Sequence, residues 1–221
     1  MAVTGATGRT DQSGTGRTGQ GAAGRINQKA RTRKAIIDAC RELAASGADV
    51  TMPQVARLAL VSEATAYRYF PDMVSLLQEA LDGLWPEAAQ AMAPVAGSAD
   101  PAERIAFACE YLMRGVQAYQ GSVRAMISHT IVAPARAPAR PGIRFALIDY
   151  ALAPFERAGG PAFLPPTAMA DLKQDLAIVV SAEALFVLTD LCGLSPDDAI
   201  TSAVRTATTL TKAAFAEPQV T

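Results

Sequence analysis

Residues 51–70, TMPQVARLALVSEATAYRYF, contain the pattern that decides the fold. Thr51 is followed three residues later by Gln54, a capping-box spacing that is typical of a helix start. After a turn at Leu60 and Val61, Ser62 is a preferred N-cap residue, so a second short helix is expected to end near residue 70. Two short helices joined by a tight turn indicate a helix-turn-helix.

The second of these helices is predicted to have two different faces. Ala66 and Phe70 lie four residues apart and are expected to face inward, against the preceding helices. Thr65 and Tyr69 are also four apart and are expected to face outward, with Arg68 beside them. Hydroxyl and guanidinium groups bond phosphate oxygens, and an Arg can also read guanine in the major groove. We therefore predict that this helix contacts DNA.

Apolar periodicity extends the helical prediction to both sides. A stripe between residues 36 and 44 predicts a first helix over about residues 27–45, ended by Gly47 in a left-handed conformation. Asp72 is expected to cap a fourth helix, which Pro86 would kink or interrupt. Later starts and breaks predict helices at about residues 101–119, 123–131, 143–158, 167–191 and 196–215. The predicted fold is all-α, with about nine helices.

The charge is distributed unevenly along the chain. The net charge is −1, yet residues 1–34 contain seven Lys or Arg and one Asp, so this segment carries +6 and the rest carries −7. A basic end that faces a polyanion and an acidic body would account for this asymmetry. The composition of residues 1–24 predicts a disordered basic tail, which either contacts DNA or is passive.

Composition also limits the other classes of function. Three widely spaced cysteines, Cys40, Cys109 and Cys192, form no metal or disulfide pattern and are expected to be buried thiols. No apolar run is long enough for a membrane span, and no signal peptide is visible, so we expect a cytoplasmic protein without a membrane partner. With one histidine and no nucleophile elbow, metal cluster or Gly-rich phosphate loop, we expect neither an enzyme nor a cofactor.

The region from about residue 29 to residue 84 resembles the N-terminal domain of the TetR family of bacterial transcriptional repressors. The matching positions are Val61, Ser62, Thr65, Tyr67, Arg68, Tyr69, Phe70, Pro71 and Asp72, followed by Leu76 and Leu77. The resemblance implies a helix-turn-helix DNA-binding domain over residues 25–71 and a larger helical domain over residues 72–221, which binds an effector and dimerises.

The resemblance also implies which residues contact DNA. The DNA-binding residues that it implies are Thr51, Ser62, Glu63, Ala64, Thr65, Tyr67, Arg68 and Tyr69. Arg33 is predicted separately, because with Lys29, Arg31 and the basic tail it could offset a missing phosphate contact. Glu63 could accept a bond from a cytosine amine, or it could only support the helix N-terminus. Two positions depart from the family pattern, since Leu60 replaces a usual Gly and Met73 replaces a frequent Lys. A left-handed Leu is costly, so the turn is expected to be either not left-handed or slightly strained, and the missing Lys would remove one phosphate contact.

In the larger domain the resemblance implies a ligand cavity and a dimer interface formed by the last two long helices. The predicted cavity residues are Trp85, Met92, Phe107, Tyr111, Met113, Met126, His129, Phe145 and Tyr150. The predicted interface residues are Val179, Phe186, Ile200, Val204, Ala207 and Thr211. Each set also fits ordinary packing within one chain, and His129 could equally be a surface or core residue.

These expectations combine into one functional prediction with two alternatives. A homodimer would bind double-stranded operator DNA with a palindromic sequence and release it on binding a small apolar or aromatic effector. The first alternative is a dimeric DNA-binding protein without small-molecule control. The second is a small helical enzyme, which the absence of a catalytic constellation disfavours.

Overall fold

The computed structural model describes residues 18–47, 49–81, 83, 85–132, 142–156 and 163–216. Within these ranges lie eleven α-helices and no strand, so the all-α prediction is confirmed with a slightly higher count. The helices are α1 (Thr18–Ala44), α2 (Met52–Leu58), α3 (Glu63–Tyr69), α4 (Met73–Leu81), α5 (Ala88–Ala91), α6 (Pro101–Ala118), α7 (Gln120–Val132), α8 (Ile143–Leu152), α9 (Pro166–Val179), α10 (Ala182–Phe186) and α11 (Pro196–Ala216). Single 3₁₀ turns lie at Ala93–Val95 and Ala153–Phe155, and a π-helical turn lies at Val187–Leu191.

The predicted helix caps explain several of these boundaries. The side chains of Ser62, Asp72 and Asp100 accept backbone N–H bonds at the starts of α3, α4 and α6, at 3.2, 2.7 and 2.8 Å. Such bonds satisfy N–H groups that have no partner inside the helix. Gly47 follows α1 with a φ of 73°, which is the left-handed end expected there.

The first helix begins earlier than its sequence predicts. It starts at Thr18, so residues 18–24 are helical rather than part of a disordered tail. Residues 1–17 lie outside the described residues. At its other end the helix stops at Ala44, close to the predicted position. Helix α1 is therefore 27 residues long.

The prediction of one continuous helix over residues 167–191 is wrong, because the helix breaks near residue 180. Helix α9 ends at Val179, and Ser181 starts α10 by accepting a bond from the Ala184 N–H at 3.0 Å. The Ser181 hydroxyl also donates to the Ile178 carbonyl oxygen at 2.7 Å. A serine that bonds nearby backbone groups on both sides competes with helix continuation, and this explains the break.

Two hydrophobic cores organise the chain. The first core is formed by α1, α2, α3 and α4 around buried residues such as Ile36, Val55 and Leu77. Because α4 shares this core, the predicted domain boundary between residues 71 and 72 separates helices that pack together. The second core lies in the larger domain, where α6 packs against both α8 and α11. Helix α7 packs against α4 and so connects the two.

A buried arginine fixes the centre of the larger domain. Arg104 on α6 is 2% exposed, and its guanidinium donates four hydrogen bonds to backbone carbonyl oxygens. The acceptors are Val95, Ala96, Tyr150 and Ala151, at 2.8, 3.0, 2.8 and 2.7 Å. A planar guanidinium with five donors suits such a set, and it ties α6 to the turn after α5 and to the end of α8.

The three cysteines differ in exposure. Cys40 and Cys109 are buried as predicted, but Cys192 is exposed because it follows the π-helical turn at the surface. Among the helices in the described ranges, none is long and apolar enough to cross a bilayer.

Candidate nucleic-acid interface and ligand cavity

Helix α3 has the buried face that its sequence predicts, but Thr65 and Tyr69, which are predicted to face outward, are only half-exposed. Ala66 is fully buried and Phe70 is 2% exposed, so both join the core with α1 and α2. On the opposite side Tyr67 is 49% exposed and Arg68 is also exposed. Ser62, Glu63 and Ala64 are exposed at the N-terminal end of the helix, where base contacts of a recognition helix fall.

Two predicted DNA-contacting hydroxyls also stabilise the helix starts. The Thr65 hydroxyl lies 2.9 Å from the Ser62 hydroxyl, and Thr65 is half-buried. At the start of α2 the exposed Thr51 donates its hydroxyl to Gln54 Oε1 at 2.7 Å, and its N–H bonds the same oxygen at 2.9 Å. A hydroxyl can both donate and accept, so these bonds leave Thr51 and Thr65 with acceptor capacity.

Arg33 has a different position from the one predicted. Its guanidinium pairs with the Glu79 carboxylate on α4 and lies over the Phe70 ring, 4.7 Å from the centroid. Because these partners belong to the first domain itself, Arg33 joins α1 to α4 and to the end of α3. We therefore assign Arg33 to the stability of the domain rather than to DNA contact.

A groove beside α3 brings in residues that the motif alone did not indicate. It has a volume of about 560 Å³ and is lined by Gln28, Lys29, Thr32, Val61, Thr65, Arg68 and Tyr69. Its α1 side supplies an exposed ammonium and two polar side chains, and its α3 side supplies a guanidinium and a phenol. The sequence signal for the α1 side is the +6 charge of residues 1–34. Such a polar, basic groove suits a phosphate backbone.

Leu60 forms the turn between α2 and α3 with a φ of 56°. This is the left-handed region, where a β-carbon crowds the following carbonyl, so the strained alternative for this turn is the one observed. The side chain is 92% exposed and therefore recovers little energy by burial. The turn closes with the Val61 N–H donating to the Ala56 carbonyl oxygen at 2.9 Å.

The larger domain contains a small cavity of about 90 Å³. It lies among α6, α7, α8 and α10, and Trp85 also lines it. The lining residues are Trp85, Leu112, Val116, Val123, Met126, Ile127, Ile143, Arg144, Ala182 and Glu183. The lining is mostly apolar, with one ion pair in which Arg144 Nη2 lies 2.6 Å from Glu183 Oε2.

The predicted cavity residues separate into four groups. Trp85 and Met126 line this cavity, whereas Phe107 and Tyr111 line an adjacent groove of about 450 Å³ that shares Trp85. Met92 and Met113 are fully buried in the core, Tyr150 lies under Arg104, and Phe145 is 58% exposed, so these four line neither this cavity nor the adjacent groove. His129 lies in α7, but its side chain is outside the described residues.

The indole of Trp85 packs directly against Gly115 of α6. A β-carbon on Gly115 would overlap the indole ring, so the close approach depends on the absence of a side chain there. Tyr111 adds an edge-on ring contact, with centroids 6.3 Å apart. Met126 lines the cavity and also packs against the first core. Met126 thus connects the cavity wall to the core of α1, α2, α3 and α4.

The structure corrects half of the predicted dimer interface. Ile200, Ala207 and Thr211 are buried in their own chain, because this face of α11 packs against α6. Val179, Phe186 and Val204 are half-buried and also pack against the core. The exposed apolar side chains in this part of the chain are instead Ile178, Val187 and Leu191, at 73, 49 and 80% exposed.

Comparison with known proteins adds one match. Residues 36–80 match the family model described as bacterial regulatory proteins, tetR family. The match covers the last third of α1 and all of α2 and α3, and it ends within α4. No curated protein matches the chain significantly. Because the matched residues build the capped helix-turn-helix with its exposed α3, this part of the chain is similar to the DNA-binding domain of the tetR family of bacterial regulatory proteins, and the match supports a DNA-binding transcriptional regulator.

Proposed function

We propose that the chain is a homodimeric repressor that releases a palindromic operator when a small apolar or aromatic molecule binds the larger domain. The observation that carries this proposal is the position of Met126. Its side chain lines the cavity and packs against the core that contains α3. A ligand that fills the cavity therefore touches a residue on which the DNA-binding helices rest.

The coupling follows from packing. Helix α7 packs against α4, and α4 packs against α1. Close-packed helices change position together rather than deform locally, so movement at Met126 or Trp85 shifts the first domain relative to the body. Because two half-sites on DNA have a fixed separation, such a shift weakens binding of a dimer. The effect is limited to the ligand's preference for one arrangement.

The homodimer is part of this proposal. A single helix-turn-helix buries little DNA surface, and a twofold dimer matches a palindromic site. The exposed side chains of Ile178, Val187 and Leu191 are apolar surface that a second copy would cover. Sedimentation velocity of Leu191→Asp tests this surface, with Thr201→Asp on the exposed face of α11 as the matched control.

Two measurements test the proposed function. A gel shift with DNA from upstream of the chain's own gene should give one complex with two protomers. Addition of a small apolar or aromatic compound that raises the melting temperature should then weaken DNA binding by between about 5-fold and 150-fold, the usual range of allosteric coupling. A compound that binds the cavity without changing DNA affinity would favour a regulator without small-molecule control.

A further inference from the structure

The basic side chains of α1 fall into two groups. Arg33, Lys34 and Arg41 each pair with a carboxylate of the first domain. Lys29 and Arg31, which are nearer the N-terminus, are exposed and form no ion pair with any side chain in the described parts of the chain. The fold therefore leaves two neighbouring cations of α1 available to an anion from outside the chain.

These two cations line different grooves. Lys29 lines the groove beside α3 that Arg68 and Tyr69 also line. Arg31 lines a second groove, of about 670 Å³, between α1 and the turn that joins α2 to α3. The residues of the second groove are Asn27, Gln28, Arg31, Thr32, Ala35, Ala59, Leu60 and Val61.

Gln28 and Thr32 form a ridge between the two grooves, because both residues line each of them. They are four residues apart and so share one side of α1. Lys29 and Arg31 are two residues apart, which is about 200° around the helix axis, so they lie on opposite flanks of this ridge. The exposed amide of Gln28 adds a hydrogen-bond donor on the ridge itself. This part of α1 thus carries a donor in the middle and a cation on each flank.

We propose that this ridge lies against the sugar–phosphate backbone of the operator, with Lys29 and Arg31 binding two phosphates of one strand on its two flanks. The inference rests on the proposed function only in that the chain binds DNA. Lys29 shares its groove with Arg68 and Tyr69, so its phosphate is close to those that α3 contacts. Ammonium and guanidinium groups form strong charge-assisted hydrogen bonds with phosphate oxygens.

The ridge lies outside the segment that matches the tetR family model. Gln28, Lys29, Arg31 and Thr32 all precede residue 36, where the match begins. The two phosphate contacts are therefore an addition that this chain makes to the matched helix-turn-helix. Because phosphates carry no sequence information, the contacts strengthen binding to every duplex by the same factor, and the reading of bases stays with α3.

The salt dependence of DNA binding counts these contacts. Fluorescence anisotropy of the full chain gives the binding constant from about 50 mM to about 200 mM salt, and each phosphate contact contributes about 0.9 to the slope of its logarithm against the logarithm of the salt concentration. The two duplexes are one from upstream of the chain's own gene and a scrambled one of equal length. Lys29→Ala and Arg31→Ala should each flatten the slope by about 0.9 per protomer on both duplexes. Lys29→Arg and Arg31→Lys keep the charge and should keep the slope.

Lys34→Ala is the matched control, because Lys34 is an exposed cation of the same helix whose ammonium lies 2.5 Å from the Asp38 carboxylate. Its slope should equal that of the wild type. Ethylation interference adds the position of each contact. Ethylation of one phosphate should weaken binding of the wild type but not of Lys29→Ala, and a different phosphate of the same strand should behave in this way with Arg31→Ala.

The outcomes separate this inference from the proposed function. Unchanged slopes and an unchanged interference pattern in Lys29→Ala and Arg31→Ala would overturn the α1 contact alone. An equal loss of slope in Lys34→Ala would also overturn it, because any positive charge on α1 would then have the same effect. If both α1 variants show the expected loss but no small apolar or aromatic compound weakens DNA binding of the wild type, the α1 contact is supported and the effector role is contradicted.

Discussion

The indole of Trp85 lies so close to Gly115 that any β-carbon at residue 115 would overlap the ring. Gly115 is inside α6, where a glycine normally costs about 1 kcal/mol relative to alanine. The close contact explains why a glycine occupies this helical position. It also sets the wall between the cavity and the adjacent groove, since Trp85 lines both.

Gly115→Ala should therefore destabilise the chain despite the better helix propensity of alanine. Overpacking typically costs about 1–3 kcal/mol and the gain in helix propensity is about 1 kcal/mol, so a net loss of up to about 2 kcal/mol is expected, together with a shift of the tryptophan emission. Urea unfolding followed by fluorescence measures both. The matched control is Gly97→Ala, because a β-carbon there meets nothing within 4 Å. A variant at residue 115 as stable as the wild type, with unchanged emission, would refute the contact.

Leu60→Gly should stabilise the chain. The left-handed conformation costs an L-residue about 1–2 kcal/mol, while glycine loses about 0.5–1 kcal/mol through its flexible unfolded state. Since the Leu60 side chain is 92% exposed, little burial is lost, and a net gain of about 0.5–1 kcal/mol is expected. Leu60→Ala keeps the β-carbon and should bring no gain. Equal unfolding midpoints for the Gly and Ala variants would show that the turn is not strained.

The three cysteines should react very differently with a thiol reagent. Burial raises the pKa of both Cys40 and Cys109 to about 12, and only the thiolate is nucleophilic. Cys192 is exposed. At pH 8 the folded chain should therefore release one equivalent of chromophore from an aromatic disulfide reagent quickly, and the other two only after denaturation. Cys192→Ser should abolish the fast phase, and a fast phase that survives this substitution would contradict the assigned burial.

The bond between Arg124 and Asp190 should contribute pH-dependent stability. The guanidinium of Arg124 donates to both carboxylate oxygens, at 2.5 and 2.8 Å, and these bonds lower the pKa of Asp190 below its ordinary 3.8. A lowered carboxyl pKa adds stability above the ordinary value, and this stability is lost as the pH falls through the folded-state pKa. Asp190→Asn should thus melt below the wild type at pH 7, with a difference that shrinks below about pH 3.8. A difference that is constant from pH 7 to pH 3 would exclude this origin.

Local patterns in the sequence predicted the first domain well, because its boundaries depend on neighbouring residues. Ser62 and Asp72 cap helices by accepting from backbone N–H groups three positions ahead, and such spacings are visible in any sequence. The break at Ser181 was missed because its residues fit an apolar helical pattern. The serine's two backbone bonds, which decide the break, leave no periodic signal.

The larger domain was harder to predict because its features depend on distant contacts. Arg144 and Glu183 meet across 39 residues, and Arg104 bonds carbonyl groups from two other segments. No spacing rule connects these positions. The predicted dimer face on α11 was wrong at Ile200 and Ala207 for the same reason, since an apolar stripe does not identify which helix it faces.

The central claim is that α3 binds DNA through its exposed face. Fluorescence anisotropy with labelled DNA from upstream of the chain's own gene tests it, using Tyr67→Ala and Arg68→Ala, with Lys212→Ala on the exposed side of α11 as control. Both α3 variants should lose about 1–3 kcal/mol of binding free energy per half-site, while the control binds like the wild type. Unchanged affinity in both α3 variants, with folding intact, would contradict the account.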